Sequence, residues 1–302
     1  MVDHLTVESV ATLAPVVSVA MPIYNAGVHL RLAVLSIVKQ SFTSWELLII
    51  DDGSTDNALK SIEDLLENRI KIFSDGQNRG LAARLNQACE MASGTYLARM
   101  DQDDVSYPER LMLQVRALQN DPQLDLVAAR TVTIDENDKI IGMFPFAATH
   151  EKICAQPWRG FFFPHPAWIG RLEWFRLHRY ADPAPYFCED QELLLRSFQQ
   201  SRFFALDEVL LGYRIRSSVN WIKLARTRRA LLSVQLKFFS DTGMWMQTLL
   251  SLGDYTLKRF AGLFRLNRSF YTPGRSGVSA NVAAEWNTTL LNCTVKQPGN
   301  NS

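Results

Sequence analysis

Residues 95–104 read Thr-Tyr-Leu-Ala-Arg-Met-Asp-Gln-Asp-Asp, a mostly apolar, strand-like run that ends in three carboxylates within four positions. Charges of one sign packed this closely repel, and the end of a buried strand is a poor place for them unless a cation joins them. A divalent metal with oxygen ligands resolves the conflict. Mg²⁺ or Mn²⁺ held by one or two carboxylates keeps positions open, and substrate phosphates fill such positions. The stretch therefore points to a metal-diphosphate site. The competing reading is a solvated acidic turn that caps a helix beginning near Pro108. The flanking sequence decides between the two.

Upstream, strand and helix signals alternate, which argues for parallel βαβ units. Val16 to Met21 is a β-branched apolar run ended by Pro22, and Leu30, Val34, Ile37 and Val38 share one helical face with Ala33 beside them. Glu46 to Ile50 predicts a second buried strand that ends at Asp51-Asp52-Gly53-Ser54. A short helix follows over Asp56 to Glu67 with Asp56 as cap, then a strand over Ile70 to Phe73 and a helix over Leu81 to Met91. Downstream, Tyr107 to Gln119 reads as a helix with Pro108 in its first turn, where a missing N–H costs least. Leu124 to Ile134 reads as another strand. Open sheets of this kind bind ligands at the carboxyl ends of their strands. Three such ends carry polar groups: Tyr24-Asn25, Asp51-Asp52 and Asp101 to Asp104. That agreement favours a site over a solvated turn.

From about Gly142 to Arg216 the pattern becomes irregular and rich in Phe, Trp and Pro, including Phe161-Phe162-Phe163-Pro164-His165-Pro166. Beyond Asn220 amphipathic helical segments carry Trp221, Leu224, Leu231, Leu232 and Phe238 among basic residues. After Tyr271 the apolar periodicity fades, and a fraying tail is expected.

At 302 residues and 47% hydrophobic, the chain can bury a large core. A net charge of +1 gives no sign of nucleic-acid binding, but Arg214 to Arg268 holds eleven Lys/Arg against two acids. Such a stretch is a solvated helical face or a surface for anionic lipid. Cys89, Cys154, Cys188 and Cys293 lack zinc-like spacing and read as reduced thiols of a cytosolic protein. The first residues do not resemble a secretory signal, and no apolar run reaches the roughly 18 residues of a membrane span.

Several residues offer chemistry. Asp51 and Asp52 could accept from a base N–H or a ribose hydroxyl, or simply form an Asx turn. Tyr24 could stack on a base or sit at the rim of the core. Glu189-Asp190 opens a helix over Gln191 to Ser201, where acids suit the macrodipole. One of them could instead deprotonate an attacking hydroxyl. His165, held between two prolines, is structural or faces a sugar.

Taken in order, Val17 to Asn25, Trp45 to Asp56, Asn78-Arg79-Gly80-Leu81, Arg99 to Leu111, His165-Pro166 and Glu189-Asp190 with Leu195-Arg196 resemble an inverting family 2 glycosyltransferase of the bacterial surface-glycan type. The resemblance spans about residues 15–220. It implies a GT-A fold: an α/β, Rossmann-like, mixed but mainly parallel sheet flanked by helices, here with C-terminal amphipathic helices. It places Pro22, Tyr24, Asn25, Asp51, Asp52 and Asp101 at the nucleotide, and Asp103 with Asp101 at Mg²⁺ or Mn²⁺. It makes Asp190 the general base supported by Glu189, and sets His165 near the diphosphate or acceptor. Where the family often has a histidine after a Tyr-Arg pair, this chain has Arg216, which suits a phosphate rather than a metal. Ala167 also replaces a small hydroxyl residue.

The organisation implied is an extension at 1–14, a nucleotide-sugar-binding half at 15–135, an acceptor-binding half at 136–220, a basic helical region at 221–270 and a flexible tail at 271–302. The partners implied are a UDP-hexose donor and a glycan or lipid-linked glycan acceptor, with no nucleic acid. The expected location is the cytoplasm, with residues 221–270 resting on the inner face of the cell membrane. Two rivals are a signalling receiver domain, which leaves Asp101–Asp104 unexplained, and a non-catalytic nucleotide-sugar-binding protein on the same fold. A processive synthase is disfavoured, since neither membrane spans nor a Gln-x-x-Arg-Trp element occurs.

Overall fold

The two seven-residue strands β1 (Val17–Ile23) and β2 (Trp45–Asp51) are buried at every position, as strands covered on both faces must be. The computed structural model describes residues 14–215, 220–263 and 278–294. Between β1 and β2 runs α1 (Leu30–Val38), and β3 (Ile70–Ser74) and α2 (Leu81–Met91) lead to β4 (Tyr96–Arg99). The short β5 (Val105–Ser106) precedes α3 (Arg110–Asn120), β6 (Leu126–Ile134) and β7 (Ile140–Met143). Then come α4 (His150–Ile153), β8 (Ile169–Arg171), α5 (Leu172–His178), α6 (Glu189–Ser197) and β9 (Phe203–Arg214). Three further helices are α7 (Trp221–Asp241), α8 (Trp245–Leu263) and α9 (Ala280–Thr294).

Among the described residues the strands form one sheet in the order β3-β2-β1-β4-β8-β6-β9-β5, with β7 on the end of β6. The β3-β2-β1-β4 half is parallel, and so is the long β6–β9 pairing. The short β5, β7 and β8 pair antiparallel. This is the mixed, mainly parallel GT-A arrangement with helices on its faces.

Several local expectations shift. Pro22 lies inside β1 rather than ending it. The Ala20 carbonyl accepts the Met100 N–H, so Ala20 and, two residues on, Pro22 face β4, whose pairing with β1 stops at Ala20. Pro22 therefore lacks a donor only where no strand needs one. The 56–67 helix is a 3₁₀ segment over Ala58–Leu65. Asn57, not Asp56, holds the N-cap position, but Asp56 still serves the segment's start: its Oδ1 accepts the Ala58 N–H at 3.3 Å while its Oδ2 accepts the Gly27 N–H at 2.9 Å. α3 begins at Arg110, not Tyr107, because the Tyr107 N–H extends the β5–β9 edge by bonding Leu210 O at 3.0 Å. α6 begins two residues earlier than expected, at Glu189, and stops at Ser197.

The expected flexible tail is corrected in part: residues 280–294 form α9. Its Trp286, Thr289 and Cys293 are buried, and Trp286 joins Val105, Tyr107, Val132, Ile134 and Leu210 in a second apolar cluster. Residues 271–277 and 295–302 lie outside the described residues, as does the 1–14 extension apart from Ala14. All four cysteines are free thiols.

Candidate active site

The carboxyl ends of β1, β2 and β4 lie on one edge, and the loops leaving them are stitched together. Gln102 clasps Tyr24, accepting its N–H at 2.6 Å and donating to its carbonyl at 3.2 Å. Asn25, at a positive φ of 47°, accepts the Thr55 N–H on its Oδ1 at 2.8 Å. Its own N–H donates to the Ser54 hydroxyl at 3.0 Å. The Tyr24 ring remains half-exposed on this rim, above the buried Pro22.

Asp51 and Asp52 are buried and bonded within the protein. Asp51 accepts the Ser54 N–H at 3.0 Å and the Ser74 hydroxyl at 2.8 Å. Asp52 accepts the N–H groups of Arg79 at 2.7 Å and Gly80 at 3.0 Å, and the Arg84 Nε at 2.8 Å. Arg84, equally buried, continues to Asp75 and the Gln77 carbonyl. Gly53 makes this possible: at φ 77° its Cα packs so close that a Cβ would lie 3.0 Å from the Gln77 carbonyl carbon. The two acids thus shape the pocket's loops.

Asp101, Asp103 and Asp104 follow β4, and one carboxylate oxygen from each lies within 4.8 Å of the others. Asp101 pairs with the buried Arg99 at 2.5 Å. Burial, then the charge of Asp101, pushes the Asp103 carboxyl up to about 6. Burial, then Asp101 and Asp103, drives Asp104 well above the ordinary carboxylate range. Asp104 Oδ1 accepts the Arg214 N–H at 2.8 Å, while its Oδ2 is sealed with no hydrogen-bond partner among the described residues. A cation among these three carboxylates would relieve their repulsion. An all-oxygen donor set of this kind fits a hard ion such as Mg²⁺ or Mn²⁺.

The acids at the start of α6 converge on the same place. Burial, then Asp190, raises the Glu189 carboxyl to about 7, with Arg99 opposing and Asp101 adding. Burial raises Asp190 against the Gln191 bonds and the Arg99 charge. The buried Tyr213 hydroxyl, raised first by burial, feels Asp101, Asp104, Arg99 and Asp190 at once. Arg99 is the common neighbour that joins the two acidic groups. His165 is enclosed, with Nε2 2.7 Å from the Tyr180 hydroxyl and Nδ1 3.9 Å from Glu189 Oε1. Burial, then Arg99, keeps its ring neutral, so its contact with Glu189 is not an ion pair. His165 holds the wall behind Glu189.

Residues assigned no role from the sequence complete the site. Arg214 anchors the acidic turn: beyond its N–H bond to Asp104, its Nε donates to Asp103 O at 2.8 Å. Its other nitrogens reach Asp135 O at 2.5 Å and Asp138 Oδ1 at 2.6 Å. Asp138 O in turn accepts the Trp286 indole N–H at 2.8 Å. The Tyr213-Arg214 pair stood out in the sequence, but its partners became visible only once β9 met β6. Arg216 lies outside the described residues.

The model of a family described as "Glycosyl transferase family 2" matches residues 18–178, more than half of the chain. EpsE of Bacillus subtilis (strain 168), a protein named as a glycosyltransferase, is 39% identical over 125 residues, 40% of this chain and 45% of that protein. The Escherichia coli UDP-Glc:alpha-D-GlcNAc-diphosphoundecaprenol beta-1,3-glucosyltransferase WfgD is 31% identical over 139 residues, 45% of this chain and 54% of that protein. The matched segments thus span about half the length of these curated relatives. The mannosyltransferase PcManGT from Pyrobaculum calidifontis, solved in complex with GDP-Man and Mn²⁺, superposes with a TM-score of 0.55 at 14% identity, over 93% of this chain and 86% of that one. That likeness speaks to the fold.

Proposed function

The chain belongs to glycosyl transferase family 2, and from that premise we propose that it moves a hexose from a UDP-sugar to a hydroxyl of a glycan or lipid-linked glycan, with inversion. The observation that carries the reading is the meeting of Asp101, Asp103 and Asp104 with Glu189 and Asp190 around Arg99. The WfgD name, with its UDP-Glc donor and diphosphoundecaprenol acceptor, supports the donor and acceptor classes.

Asp190 takes the proton of the acceptor hydroxyl. The freed oxygen pair forms a bond to the anomeric carbon, the bond from that carbon to the diphosphate oxygen breaks, and the nucleoside diphosphate leaves with its electrons. One displacement inverts the configuration, and no covalent enzyme intermediate is needed. Desolvation of Asp190 and Glu189 favours proton uptake, which suits a base. Glu189, backed by His165, supports Asp190. Asp103, with Asp101 and Asp104, would hold Mg²⁺ or Mn²⁺. Bound there, the ion supplies Lewis-acid neutralisation of the diphosphate, worth several kcal/mol. Tyr24 stacks on the base, and Pro22, Asn25, Asp51 and Asp52 set the loops that receive it. Arg216 is assigned to the diphosphate.

Asp190→Asn is expected to abolish transfer and keep donor affinity within about twofold, as an uncharged isostere removes the base and little else. Calorimetry with UDP and Mn²⁺, beside a transfer assay, checks this. Loss of donor binding would reassign the residue. A non-catalytic sugar-binding role predicts no donor hydrolysis by the wild type.

A further inference from the structure

α8 is built inside out. Its face toward the protein carries Thr248, Ser251, Asp254 and Lys258, with Ser251 only 1% exposed. Its outer face carries Trp245, Met246, Leu249, Leu257 and Phe260, each more than half exposed. Met246, Leu249, Leu250, Gly253, Leu257 and Phe260 recur at helical spacing, so the apolar stripe is continuous. A helix on a water-facing surface has the opposite orientation, and a patch of this size marks a contact surface.

Charge identifies the occupant. Residues 221–263 hold seven Lys/Arg and two acids, and Asp254 turns inward to Lys258. Arg226, Arg229 and Lys237 follow the outer stripe of α7, where Asp241 pairs with Lys237 at 3.0 Å, and Arg259 stands on the exposed side of α8, so the net charge of this surface is basic. Two copies meeting through α8 would bring like charges together, whereas an anionic lipid surface would neutralise them. No described helix is long and apolar enough to cross a membrane, so the stripe would lie along the surface.

We propose that the α7–α8 hairpin docks on an anionic membrane, with the outer face of α8 in the headgroup-acyl boundary and α7's basic stripe on the headgroups. The root of the hairpin adjoins the site. Lys223 Nζ sits 3.5 Å above the Phe187 ring and Arg226 4.0 Å above Tyr186, just before Glu189 and Asp190. Docking would bring the base to a lipid-linked acceptor, a consequence that rests on the acceptor reading above. The docking itself does not.

The test is flotation with vesicles of phosphatidylcholine alone and of phosphatidylcholine mixed with phosphatidylglycerol. The wild type is expected to float with the mixed vesicles at low salt and to be released by high salt. Leu249→Glu with Leu257→Glu should abolish flotation. Arg229→Glu with Arg259→Glu should weaken it at least about tenfold. Thermal stabilisation by UDP and Mn²⁺ should stay unchanged in both variants, which shows that they fold. Wild type that stays with the aqueous fraction in both mixtures overturns the proposal. So does a concentration-dependent dimer, seen by sedimentation and dissociated by the leucine variants. Transfer to a water-soluble acceptor without flotation would refute docking and leave catalysis standing. Flotation without transfer would do the reverse.

Discussion

Asp104 has one oxygen on the Arg214 N–H and the other sealed without a partner, while its neighbour Asp103 keeps partial contact with solvent. Both carboxyls titrate above their unfolded values. A group raised on folding contributes stability below its unfolded value, here 3.8, and loses it as pH rises through its folded value, about 6 for Asp103. The metal-free protein should therefore lose on the order of 2 kcal/mol across that window. Metal needs the ionised form. Mn²⁺ should raise the melting temperature fully at about pH 7.5 and hardly at about pH 4.5. Asp104→Asn should remove the Mn²⁺ response. A shift equal at both pH values, or one that survives in Asp104→Asn, would contradict the assignment. Arg84→Ala should cost about 3–5 kcal/mol in denaturant unfolding, since it strands the buried Asp52. The cluster was legible because its three acids fall within four positions. The bonding of Asp52 to Arg84 was not, because it depends on how the 75–80 loop returns.

At the scale of elements, the acidic turn is held by β9, by the β6–β7 hairpin and, through Trp286, by α9. Trp286 covers Gly212, where a Cβ would approach the indole to 2.5 Å. Trp286→Ala should cost about 3–5 kcal/mol, as for large aromatics removed from cores. Asp138→Ala leaves the apolar cluster intact and removes only a support of Arg214. It should weaken Mn²⁺ binding about tenfold while lowering stability by about 1 kcal/mol. Titration calorimetry and unfolding of the same samples separate the two, and unchanged metal affinity would contradict the link. α9 escaped notice in the sequence because its inward face is narrow. Trp286, Thr289 and Cys293 fall at spacings of three and four, but only one is large and apolar. The strands were plain for the opposite reason: β1 and β2 are mostly apolar, and polar residues, Tyr24-Asn25 and Asp51-Asp52, mark their ends at one edge. Pro22 was misplaced because its tolerance depends on where β4 ends.

For the whole molecule, residues 15–135 announced the parallel half of a GT-A sheet, and the family match over 18–178 agrees with it. The second half was harder to read. β8 has three residues and β5 two, too few for periodicity to register, and both exist only as partners of β4, β6 and β9. Acids far apart in the chain form one cleft, three of them placed to grip a cation and another to serve as base. A crystal grown with Mn²⁺ and UDP, measured for manganese anomalous scattering, decides whether they do. The expected result is a peak bounded by carboxylate oxygens of Asp101, Asp103 and Asp104, with the UDP diphosphate on it and Asp190 facing the open side. A peak elsewhere, or UDP bound away from Asp103 without metal, would contradict it.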